Sequence, residues 1–107
     1  MPYQPNEQMR SAASRALEYR RTLPPSAKFG TAVGIARARD ISNNVELSAE
    51  TIIRMYSFLK RHQKNYEMYV GVDKKGKGYW SYLLWGGPSA LPWAEDKLEK
   101  MRKAGEI

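Results

Sequence analysis

The side chains able to do chemistry in this sequence are few, and most of them are cationic. His62 is the only histidine, and Lys60, Arg61, Gln63 and Lys64 surround it. General acid–base work or metal binding needs acidic or neutral partners beside the imidazole, and a ring of cations repels a metal ion. His62 therefore reads as a helix-end residue. Asp40, Glu46 and Glu50 put three carboxylates in one short stretch, a set that in principle suits magnesium. No D-x-D spacing accompanies them, and Glu50 falls where a helix N-terminus favours negative charge. There is no cysteine, which removes thiolate nucleophiles, disulfides and zinc–sulfur sites together. No Ser-His-Asp arrangement can be assembled. Lys74-Lys75-Gly76-Lys77-Gly78 lacks the G-x-x-x-x-G-K-[ST] spacing of a phosphate-cradling loop. The expectation is a non-enzymatic protein with no cofactor and no metal.

The charge is informative where the motifs are not. Net charge is +7, from 18 Lys and Arg against 11 Asp and Glu. Residues 1–64 hold 11 basic and 5 acidic side chains, whereas residues 65–107 hold 7 and 6. The excess thus sits in the first two thirds. An uncompensated basic surface attracts polyanions, because each phosphate contact releases counterions. Nucleic acid, DNA foremost, is the expected partner class.

Helical spacing organises that charge. Ile52, Met55, Tyr56 and Leu59 fall at i, i+3, i+4 and i+7, an apolar stripe. Arg54, Ser57, Arg61 and Lys64 fall on another face. Ser48 is a suitable N-cap, with Leu47 and Ile52 spaced as a hydrophobic staple. The segment before it carries Arg37 and Arg39 and reads as a helix over 32–42, with strand-like alternation at Val33 and Ile35 as the rival reading. A helix, the turn Ser42-Asn43-Asn44 and a capped helix with exposed arginines outline a helix-turn-helix. The candidate nucleic-acid contacts are Arg37, Arg39, Arg54, Arg61 and Lys64, with Thr51 offering a hydroxyl to a base or phosphate.

The remaining elements position this pair. Asn6 can cap a helix running to about Thr22, with Met9, Ala13 and Leu17 inward and Arg10, Arg15, Arg20 and Arg21 outward. Pro24-Pro25 ends it. Residues 49–64 form the capped helix. Met68, Val70 and Val72 alternate as a strand would, and Tyr79–Trp85 could pair back as a β-hairpin near 67–85. The same aromatic run also suits a short buried helix stopped by Gly86-Gly87. Trp80, Tyr82, Trp85 and Trp93 could stack on unpaired bases, although aromatics in a small domain usually build its core. Ser89 can cap a last helix over 90–104, with Leu91, Ala94, Leu98 and Met101 buried. The expected fold is mainly α: one domain over 1–107, a compact bundle of about four helices. No apolar run approaches the ~20 residues of a membrane span. The first ten residues lack the apolar core of a secretory signal.

The ordered strings IARARDI (35–41), LSAETIIRM (47–55), SFLKRH (57–62), LLWGG (83–87) and WA (93–94) resemble a family of small phage-encoded proteins. The pattern is also similar to modules found near phage head-morphogenesis genes. After Gly87 the sequence departs from it, with Pro88-Ser89-Ala90-Leu91-Pro92 intervening. The resemblance implies phage or prophage origin, location in the host cytoplasm or the virion, and no assigned functional residues. Three functions are expected on these grounds. The first is nucleic-acid binding through a basic helical face. The second is a virion structural or assembly protein contacting capsid proteins or packaged DNA, with homo-oligomerisation compatible. The third is an effector that inhibits a host protein.

Overall fold

The computed structural model describes residues 3–107, and among them the secondary structure is helical throughout. Five helices occur in order: α1 (Glu7–Arg21), α2 (Ala32–Ser42), α3 (Ala49–Glu67), α4 (Lys77–Leu84) and α5 (Ala90–Lys103). A single 3-10 turn, Pro25–Ala27, lies between α1 and α2. None of these helices is long and apolar enough to cross a membrane.

Local chemistry accounts for most of the boundaries. The Asn6 side chain accepts from the Met9 amide, Thr31 from Gly34 and Ser48 from Thr51. Each such cap satisfies one of the orphan amides of a first turn and contributes about 1 kcal/mol. The last helix behaves differently. Ser89 makes no capping bond to α5; its hydroxyl lies 3.4 Å from Asn6 Oδ1 instead. The expected serine cap there is replaced by a link to the start of α1.

The short helix α4 is the hub, packing against α1, α2 and α3. Around it α1 pairs with α2, and α3 pairs with α5. Ala12, Ala13 and Ala16 are buried on α1, so small side chains bring its axis close to its neighbours. The glycines after α4 complete the approach. An added Cβ would lie 2.7 Å from Ala90 Cβ at Gly86 and 3.0 Å from Ala12 Cβ at Gly87, and both residues adopt positive φ. Met9, Ile52, Met55, Leu59, Leu83, Leu84 and Met101 are fully buried, each contributing about 1.5–3 kcal/mol by removing apolar surface from water.

The helices number five where about four were expected, and two further expectations need correction. The run near 67–85 is not a hairpin. α3 continues to Glu67 and unwinds through tight turns, with Tyr69 donating to Tyr66, Val70 to Glu67 and Val72 to Tyr69. Met68, Val70 and Val72 are 65%, 59% and 42% exposed, so their alternation has no sheet to face. Tyr79–Leu84 is helical instead, because Tyr82, Leu83 and Leu84 are wanted on several sides of the hub at once. The second correction concerns the helix-turn-helix outline. α2 follows α1 and α4 in its packing, whereas α3 follows α4 and α5. The two successive helices do not form a packed pair of their own.

Candidate nucleic-acid interface

The strongest cationic site arises where α1 ends. Pro24-Pro25 cannot continue a helix, so Arg20 and Arg21 fall in its last turn, where cations suit the helix dipole. The chain then turns back. Lys28 Nζ donates to the Arg20 carbonyl at 2.6 Å, and Arg20 Nε donates to the Phe29 carbonyl at 2.6 Å. These two bonds tie the returning loop across the end of α1. α2 runs back along α1 and brings Arg39 to the same side. The outcome is a cleft of about 340 Å³ between α1 and α2, with Arg20, Arg21, Lys28 and Arg39 around apolar Leu17 and Ile35, and no carboxylate in its lining.

The charge in this cleft is uncompensated, unlike that of α5. Among the described residues, none of these four cations forms an ion pair. All four cations of α5 do: Lys97 and Lys100 with Asp96 at 3.4 and 3.2 Å, Arg102 and Lys103 with Glu99 at 3.0 and 3.7 Å. The hydrogen bond from Lys100 holds the Asp96 carboxyl below its ordinary range. The cations of α5 are paired within their own helix, whereas those of the cleft have no acidic residue in its lining.

The six candidate residues separate into three situations. Arg39 alone lies in the cleft. Arg37, two residues earlier, points about 200° away around the helix. Its side chain is only 18% exposed, one terminal nitrogen donates to Asp40 at 3.1 Å, and its Nε is buried without a partner. Arg37 is thus spent inside the fold rather than on a surface. Thr51 belongs to the α3 cap, accepting from the Ser48 hydroxyl at 3.0 Å. Arg54, Arg61 and Lys64 share the outer face of α3, opposite Ile52, Met55 and Leu59. Arg54 bonds Glu50 at 2.8 Å, but with the pair 62% and 76% exposed water weakens the attraction to a few tenths of a kcal/mol. A phosphate can compete with it. Arg20, Arg21 and Lys28 were not singled out from the sequence, where the only signal was a doubled arginine before a double proline.

The other candidates resolve into packing. Trp85 is buried and its ring stacks on Phe58 with centroids 4.5 Å apart. Tyr82 is buried and stacks on Tyr66, and burial pushes its hydroxyl up to about 12. Trp80 stacks on Tyr19, and Trp93 lies under Lys97. Lys75 turns inward, bonding the Tyr69 and Val72 carbonyls and covering the Tyr79 ring. His62 rests on Phe58 and meets the Asn65 amide at 3.1 Å. No group of three or more potential metal ligands occurs among the described residues. Compared with protein-family models, curated proteins and solved structures, the chain has no significant match.

Proposed function

We propose that this chain is a phage protein that binds nucleic acid without catalysis, with DNA as its ligand and the α1/α2 cleft as its main contact. The observation that carries this reading is the convergence of Arg20, Arg21, Lys28 and Arg39 on one recess without an acidic residue. Guanidinium groups suit phosphate because their planar forks donate two parallel bonds to its oxygens. Arg54, Arg61 and Lys64 on the outer face of α3 extend the contact electrostatically. The protein acts in the host cytoplasm or on DNA held in the virion. Fluorescence anisotropy with labelled duplex and single-stranded DNA tests this reading. Binding that persists near physiological salt and weakens with Arg39→Ala supports it; binding that vanishes with salt and ignores the substitution sinks it.

A second reading, a virion assembly protein, is favoured by the exposed apolar run Met68, Val70 and Val72. Clustered exposed apolar groups favour a protein partner. In that case Val70→Ser disrupts self-association in sedimentation experiments and leaves DNA binding unchanged.

A further inference from the structure

The α1/α2 cleft does not end at Lys28. A shallow recess of about 260 Å³ adjoins it there, and this lysine lines both. Its walls come from the loop before α2, from α3 and from α4, and Lys77 stands among them without any carboxylate. Cleft and recess together make one acid-free track. It passes from Asn43 after α2, over Arg39, Arg20 and Lys28, to Lys77 at the start of α4.

The two lysines of this track differ in what they do for the fold. Lys28 is anchored on the Arg20 carbonyl at 2.6 Å, so the junction carries a charge of fixed position. Lys77 is exposed and forms no ion pair among the described residues. It sits in the first turn of α4, where a cation opposes the helix dipole. Its charge therefore gains the fold nothing, and it is free for a ligand.

The ligand class follows from what lies between the cations. Leu17 and Ile35 line the cleft, and Phe29 and Leu84 line the recess. A partner that covers the whole track brings negative charge for the cations and flat apolar surface for these side chains. Phosphate alone leaves the apolar part uncovered. Unpaired nucleotides offer both, because their base faces are free. In a duplex those faces are stacked inside, and its persistence length of about 150 base pairs keeps it from following a turn between helix pairs. A duplex can lay phosphates on the cleft and reach no further.

We infer that the track receives an unpaired nucleic-acid strand, which runs from the α1/α2 cleft past Lys28 to Lys77. The inference rests on the nucleic-acid reading above, narrows it to single strands and adds Lys77 as a contact beyond the cleft.

The test measures anisotropy with a short oligothymidylate that fills only the cleft, a long one that spans the track, and the duplex of the long one with its complement. Two variants remove the same charge from nearby positions. Lys77 lines the track; Lys74 lines a separate recess with Tyr19, Asp73 and Trp80. Lys77→Ala keeps the fold, because alanine is a strong helix former. The expected result is about tenfold tighter binding of the long strand than of its duplex at equal salt. Lys77→Ala should weaken the long strand about threefold and lower its salt slope by about 1, whereas Lys74→Ala and the short strand show no such loss. Duplex binding as tight as that of the long strand overturns the inference. So do equal losses from the two variants, or a Lys77→Ala loss as large with the short strand. In each of these cases a continued loss with Arg39→Ala leaves the nucleic-acid reading standing. Binding of none of the three ligands overturns both.

Discussion

The ring of Tyr19 stacks on that of Trp80 with centroids 4.3 Å apart and planes 25° from parallel. Phe29 lies 6.2 Å from each ring. This cluster joins the last turns of α1, the returning loop and α4. Arg20 follows Tyr19 and Lys28 precedes Phe29, so the same aromatic contacts that close the fold also hold two of the cleft's cations in register.

Trp80→Ala should therefore lower stability by about 2–3 kcal/mol, somewhat less than for a fully buried tryptophan. A double-mutant cycle with Tyr19→Ala should show coupling of about 1 kcal/mol, as expected for stacked rings. Urea denaturation of the four proteins measures both quantities.

Gly86 ends α4 at φ +107°, with Ala90 Cβ 2.7 Å from where its own Cβ would be. Gly86→Ala meets both backbone strain and a clash with the start of α5. A loss of about 2–3 kcal/mol is expected. Gly71 also has positive φ, +81°, but nothing lies within 4 Å of it. Gly71→Ala should cost only about 1 kcal/mol, the backbone contribution alone. Thermal unfolding of the two variants separates the clash from the strain.

The helices and their buried stripes were legible because periodicity and caps are local signals. Asn6 and Ser48 each cap the helix that follows, as their positions predict, and Ile52, Met55 and Leu59 are buried together. The Thr31 cap was not read from the sequence, and the expected Ser89 cap does not form. The Tyr79–Leu84 run was not decidable locally. A short aromatic segment suits a strand or a helix equally, and its packing against three partners settles the choice. The cleft was illegible for a similar reason. Arg39 meets Arg20, Arg21 and Lys28 only because α2 folds back on α1, so sequence spacing could not separate it from the inward-turned Arg37.

That separation is testable. Arg37→Ala should cost about 1–2 kcal/mol of stability, through the lost bond to Asp40 and lost packing of the side-chain stem, with DNA affinity retained. Arg39→Ala should do the reverse, changing stability by less than about 0.5 kcal/mol and weakening DNA binding. Denaturation and anisotropy on the same two proteins decide it.

Tyr82 makes the fold alkali-sensitive. Its folded-state value, raised to about 12 chiefly by burial, exceeds the ordinary value near 10. The contribution is complete below pH 10 and is lost as pH rises from there toward 12, since the unfolded chain releases this proton first. The urea midpoint should fall more steeply over that window in the native protein than in Tyr82→Phe.

The central claim is that charge in the α1/α2 cleft, and not charge in general, binds DNA. The most direct measurement is a salt titration of duplex binding by anisotropy with two double variants of equal net charge. Arg21→Ala with Arg39→Ala removes cleft cations; Lys100→Ala with Lys103→Ala removes cations already paired on α5. The account predicts at least about tenfold weaker binding for the first, with the slope of log affinity against log salt reduced by about 2. The second should match the native protein. Equal losses from both variants, or none from either, would contradict the claim.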